Sequence, residues 1–118
     1  MDDEEQVRSI TQAMLHQMGH EVVFAKDGEE AVWLYQEAMD RDTAVDLIIM
    51  DLTIPGGMGG KEAVQKILAI NPGAKVIVSS GYSNDPIMAN FKDYGFCAAI
   101  AKPFRLADLR KIIGQLLD

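Results

Sequence analysis

Five residues of this chain carry chemistry that packing alone would not ask for: the adjacent pair Asp2 and Asp3, then Asp51, Ser80 and Lys102. Three carboxylates brought together repel one another and need a cation; hard oxygen donors with room for water and phosphate oxygens suit Mg²⁺. A lysine and a hydroxyl beside them add a positive charge and a hydrogen-bond donor, which a phosphoryl group on a carboxylate requires for neutralisation. Aspartate can itself be the nucleophile. Taken singly, each residue also has a plainer reading: an acidic terminus that caps a helix, an aspartate that starts a turn, a Ser-Gly turn, a surface lysine before a helix-starting proline. The elements that carry these residues decide between the two.

Asp51 ends the apolar run Leu47-Ile48-Ile49-Met50 and opens the glycine-rich loop Leu52-Thr53-Ile54-Pro55-Gly56-Gly57. A run of this kind bounded by turn residues suits a strand buried on both faces of a parallel sheet. Ligand chemistry in such sheets gathers at the carboxyl ends of the strands. Upstream, Val7, Ile10, Met14, Leu15 and Met18 lie at helical spacing between Asp3, placed to cap, and Gly19. Glu21 to Ala25 reads as a short strand, and Asp27-Gly28 introduces a helix through Ala31, Val32, Leu34, Tyr35 and Ala38. A helix from about Gly60 to Ile70 stops at Asn71-Pro72-Gly73, and Lys75 to Ser79 form the next strand. A helix follows Asn84-Asp85-Pro86, then a weak strand Ala98 to Ile100 and a last helix from Leu106 to Leu117.

Strands alternating with helices imply right-handed crossovers, so the expected class is α/β, a doubly wound parallel sheet over residues 1–118 as one domain. The first helix begins almost at Met1, where such a fold ordinarily opens with an apolar strand, so the first strand is missing from the pattern. Trp33, Met14 and Met18 fall on helical apolar faces and are expected in the core.

Composition narrows the function classes. With 18 Asp+Glu against 11 Lys+Arg, the net charge of −7 repels nucleic acid and anionic membranes. The single Cys97 sits in an apolar stretch, where it is expected as a small buried core residue, and has no partner for an internal disulfide. No stretch approaches membrane-spanning length and no basic-then-apolar leader opens the chain, so a cytoplasmic location is expected. The glycines from Gly56 to Gly60 do not make a phosphate loop, because Pro55 stands where glycine is needed and Glu62 where Ser or Thr is needed. His16 and His20 straddle the end of a helix with no cysteine nearby, which argues against zinc.

The acidic pair Asp2-Asp3, Asp51, Ser80 followed by Gly81, and Lys102-Pro103 together resemble the receiver domain of two-component response regulators. The segments Asp51 to Glu62 and Val78 to Ser83 are closest in style to receivers of hybrid sensor histidine kinases. The resemblance spans essentially the whole chain. It implies a flavodoxin-like sheet of order 2-1-3-4-5, less its first strand, and a phosphoacceptor signalling role in a phosphorelay rather than a true enzyme. In that role Asp51 would take a phosphoryl group from a phosphohistidine of a histidine kinase or phosphotransfer domain. The Mg²⁺ ligands would be Asp2, Asp3, Asp51 and the backbone carbonyl of Thr53, with Asp2 acting mainly through water. Ser80 and Lys102 would sense and stabilise the phosphoryl group, while Thr53 and Tyr82 would line the path of the hydrolytic water. The Lys102-Pro103 bond would be cis, and homodimers would form through the last helix and the face carrying Ile87, Phe91 and Tyr94.

The chain departs from the family at Ala99, where an aromatic residue is usual, and in lacking the first strand. Three rival readings remain. A pseudo-receiver would keep the fold and bind a partner without phosphorylation. An aspartyl phosphatase of the haloacid dehalogenase type would need a second aspartate where Thr53 stands, and a flavin-binding module would need a phosphate loop after the missing strand.

Overall fold

A computed structural model describes residues 1–82 and 84–117. Helix α1 (Glu5–Gln17) and helix α2 (Gly28–Asp40) come first, then strand β1 (Ile48–Asp51), helix α3 (Gly60–Ile70) and strand β2 (Val76–Ser80). A short helix α4 (Pro86–Ala89), a 3₁₀ turn (Phe91–Tyr94), strand β3 (Ala98–Ala101) and helix α5 (Leu106–Leu117) complete the chain. The strands form a parallel sheet in the order β1-β2-β3, with Met50 opposite Val78 and Ser80 opposite Ala101.

Helices cover both faces, as strand-to-strand crossovers require. On one face, Ala31 and Tyr35 of α2 and Ala63, Val64 and Ile67 of α3 pack on Met50, Val76 and Val78. On the other, Leu109 and Ile113 of α5, with Met14, Leu15 and Met18 at the end of α1, pack on Ile77, Ile100 and Ile49. Alternate residues of one strand thus feed two cores, which is why β2 is buried along its whole length.

The strand expected at Glu21–Ala25 does not form; residues 20–25 carry no regular secondary structure. A strand needs a ladder of backbone partners, and among the described residues this segment has a single backbone hydrogen bond of that kind, from the Asp2 amide to the Ala25 carbonyl. The Met1 nitrogen donates to the Ile49 carbonyl (2.6 Å), the Asp51 amide donates to the Met1 carbonyl (3.0 Å), and the Asp2 amide donates to the Ala25 carbonyl (3.0 Å). Met1 and Asp2 therefore lie between Ala25 and β1 and bond to both. Val23, without a neighbour of this kind, is 78% exposed.

Three smaller expectations also change. Trp33 is 63% exposed, because α2 turns Ala31 and Tyr35 inward and that orientation carries Trp33 out. Cys97 is half-buried rather than a core residue. The first residue before α1 is Glu4, and Asp2 rather than Asp3 accepts the Glu4 amide. The helix after Asp85 is short: the Asp85 carboxylate caps Ile87 and Pro86 sits in the first turn, but the chain tightens into the 3₁₀ turn and closes at Gly95, whose φ is +97°.

Candidate functional site at the carboxyl ends of the strands

Asp51 is the last residue of β1 and Ser80 the last of β2, while Lys102 directly follows β3. Parallel pairing in register places these ends side by side. The Lys102 amide donates to the Ser80 carbonyl (2.9 Å), which ties the exit of β3 to the end of β2. The Lys102–Pro103 peptide bond is cis. Behind Asp51, the Gly60 amide donates to the Leu52 carbonyl, and a Cβ on Gly60 would stand 2.8 Å from the Asp51 carbonyl. Only glycine lets α3 start this close to the strand end.

The side chains converge on one nitrogen. Lys102 Nζ donates to Asp2 Oδ2 (2.7 Å) and to Asp51 Oδ2 (2.9 Å), and both carboxylates are only 6% exposed. Asp2 is held at every side: its Oδ1 accepts the Glu4 amide, its carbonyl accepts Arg8 Nη1 (2.8 Å), and its amide reaches Ala25. The second oxygen of Asp51, Oδ1, has only a weak 3.5 Å contact from the Thr53 amide. Ser80 Oγ accepts the Tyr82 amide at 3.0 Å, leaving its hydroxyl hydrogen available. Tyr82 itself is 72% exposed at the rim.

Burial dominates the electrostatics. It pushes the Asp51 carboxyl above its ordinary value, and the charge of Asp2 adds to that; Lys102 and the Thr53 amide pull the other way. For Lys102 burial pulls the ammonium down, but hydrogen bonds to Asp2 and then Asp51 outweigh it and the net shift is upward. Two carboxylates serve one lysine, so the lysine gains more from the pairing than Asp51 does.

The sequence-predicted residues therefore meet, with one division among them. Asp2, Asp51, Ser80 and Lys102 line one end of the sheet; Asp3 and Thr53 lie at its exposed margin. Ligand oxygens of Asp2, Asp3 and Glu4 come within 4.8 Å of one another. Glu4 was not foreseen, and the run of four acidic residues from Asp2 to Glu5 was its signal. Asp51 is not in that group, and Lys102 Nζ bridges it to Asp2 instead. An all-oxygen, acidic donor set with one buried carboxylate fits a hard divalent cation.

The family model of the response regulator receiver domain matches residues 1–114. The chain belongs to that family. This receiver is 32% identical over 106 residues to the chemotaxis protein CheY of Thermotoga maritima, covering 89% of this chain and 83% of that protein. It is 30% identical over 118 residues to the autoinducer 1 sensor kinase/phosphatase LuxN of Vibrio harveyi, where it spans all of this chain and only 13% of the relative's length. The response regulator TrrA of Thermotoga maritima, solved in complex with Mg²⁺ and BeF, superposes with a TM-score of 0.84 at 27% identity, over 98% of this chain and 94% of that one. The expected receiver fold is borne out, with three strands among the described residues. Receiver domains of response regulators are generally not enzymes, and no described helix is long and apolar enough to cross a membrane.

Proposed function

We propose that residues 1–118 form one receiver domain in which Asp51 accepts a phosphoryl group from a phosphohistidine on a histidine kinase or phosphotransfer domain. The observation that carries this reading is Lys102 Nζ, which holds Asp51 Oδ2 at 2.9 Å and leaves Oδ1 with only a weak contact. A carboxylate so placed offers one oxygen to an electrophile while its other oxygen stays fixed. In the transfer, an Asp51 oxygen attacks phosphorus, the phosphorus–nitrogen bond breaks, and the imidazole leaves with its electron pair and takes up a proton; an acyl phosphate remains on Asp51. Lys102, already between Asp2 and Asp51, is within reach of the new phosphoryl oxygens, and the Ser80 hydroxyl hydrogen is available to donate to them. Thr53 and Tyr82 would line the path of the hydrolytic water, a role their exposure at the rim supports, and self-dephosphorylation is the one catalytic act in this reading.

Asp2, Asp3 and Asp51 with the Thr53 carbonyl would hold Mg²⁺, and Glu4 lies close enough to Asp2 and Asp3 to join through water. When bound, the cation supplies positive charge against the phosphoryl oxygens. Asp2 then has two alternative partners, Lys102 and the metal. The receiver acts in the cytoplasm, on its own or within a hybrid kinase, and self-association would use α5 and the surface near Ile87, Phe91 and Tyr94. A beryllofluoride titration with Mg²⁺ followed by NMR tests the site: shifts centred on Asp51, Ser80 and Lys102 that vanish in Asp51→Asn support it. Unchanged spectra in the wild type would favour a pseudo-receiver.

A further inference from the structure

Helix α2 turns one stripe outward. Glu29, Trp33, Gln36 and Asp40 follow the spacing that keeps residues on one side of a helix, and all four are exposed. The buried residues of α2 are Gly28, Ala31 and Tyr35. The outward stripe carries the chain's only tryptophan, 63% exposed, between acids at both ends. Tryptophan is among the residues most enriched where proteins anchor their partners.

Beside Trp33 an open hollow of about 510 Å³ follows the last turns of the helix, lined by Trp33, Gln36, Glu37, Asp40 and Arg41. Its charge is unbalanced. The last turn of α2 holds no basic residue, so Glu37 and Asp40 add their charges to the negative end of the helix dipole. Gln36 Nε2 donates to Asp40 Oδ1 (3.1 Å), and Arg41 Nη2 pairs with Glu37 Oε1 (2.5 Å) through a side chain that is 72% exposed. The other oxygen, Glu37 Oε2, is shielded from water and has no hydrogen-bond partner among the described residues. A carboxylate oxygen in that state lacks a donor.

Charge and shape together select the donor. A cation set over the indole face and against the carboxylates gains from both. Lysine supplies only a point charge, whereas a guanidinium is flat, stacks on an aromatic ring and carries its N–H groups in a fork that matches a carboxylate. The net charge of −7 turns away nucleic acid and anionic lipid, which leaves a basic stretch of protein as the occupant.

We propose that the outward face of α2 is a docking surface for an arginine-bearing basic segment of a partner protein, one guanidinium stacking on Trp33 while it donates to Glu37 and Asp40. Arg41 does not block this. It holds Glu37 through an exposed pair, which contributes little, so a guanidinium that also stacks on Trp33 can displace it.

The probe is the peptide acetyl-Arg-Gly-Arg-amide, titrated into the full chain alongside the same peptide with citrulline in place of both arginines, which keeps the shape and removes the charge. Trp33 fluorescence is a site-specific readout because the chain has no other tryptophan, and the amide shifts of residues 29–41 map the face. The arginine peptide is expected to give a saturable change and the citrulline peptide none. Combining Glu37→Gln with Asp40→Asn should weaken binding at least about tenfold, the effect of losing one charge-assisted hydrogen bond. Combining Asp93→Asn with Asp108→Asn removes the same charge from exposed positions on other elements and should change binding less than about twofold, as screened distant charges do. Fluorescence and shifts unmoved by the arginine peptide, equal binding of the citrulline peptide, or equal weakening by the two double variants would each overturn the docking surface.

Discussion

Lys102 Nζ lies 2.9 Å from Asp51 Oδ2, across 51 positions of sequence, and neither side chain is more than 15% exposed. The same nitrogen holds Asp2 at 2.7 Å, so one ammonium balances two buried carboxylates. These groups come from the chain before α1, the end of β1 and the turn after β3, and the ammonium offsets the repulsion between the two acids.

Removing that ammonium leaves two buried like charges. Lys102→Met is expected to lower stability by about 2 kcal/mol in metal-free buffer at neutral pH, since breaking a buried pair strands the remaining charge. Urea denaturation checks this. Adding Asp51→Asn to Lys102→Met should recover part of the loss; a double variant no more stable than the single one would show that the repulsion is not the cause.

The pH dependence of the Asp51 contribution has a definite sign. The fold holds the Asp51 carboxyl above its ordinary 3.8 because burial disfavours the charged form. A group raised in this way contributes stability that is complete below the unfolded value and is lost as pH rises through the folded value. Ionised Asp51 therefore weighs against folding at neutral pH, and Lys102 only reduces that burden. Wild type should lose stability relative to Asp51→Asn as pH climbs from below 3.8 toward neutrality, read from denaturation midpoints across the range. Lys102 does not blur the window, because its own raised value places its titration above 10.5.

How far the site could be read from sequence depended on whether the deciding contact was local. The apolar run before Asp51 is a local pattern, and so are the runs before Ser80 and Lys102, so the three strands and the placement of those residues at strand ends were legible. Glu21–Ala25 has the same local signature, yet its pairing depends on a neighbour that only Met1 and Asp2 partly supply. Trp33 was misplaced because several apolar residues of α2 compete for the inward face, and packing on α3 selects Ala31 and Tyr35. No local signal reports that Lys102 reaches back 100 positions to Asp2; the charges suggested a meeting, and only the fold gives its form.

The Met1 ammonium makes a separate prediction. Burial lowers it from 8.0 to about 6, against the pull of Asp2 and Asp51. A base lowered by folding binds fewer protons in the native state, so stability falls as pH drops from 8 and levels off below about 6. The full change is about 3 kcal/mol. N-terminal acetylation keeps an N–H for the Ile49 carbonyl and removes the charge, so it should flatten the slope. A slope that persists unchanged in the acetylated protein would place its origin elsewhere.

The central claim is that Asp51 is the phosphoacceptor, and the most direct measurement is intact mass after incubation with Mg²⁺ and acetyl phosphate. Wild type should gain the mass of one phosphoryl group, labile to hydroxylamine as an acyl phosphate is, and Asp51→Asn should gain none. A wild type that stays unmodified, or an Asp51→Asn variant that takes up the group equally, would contradict the account.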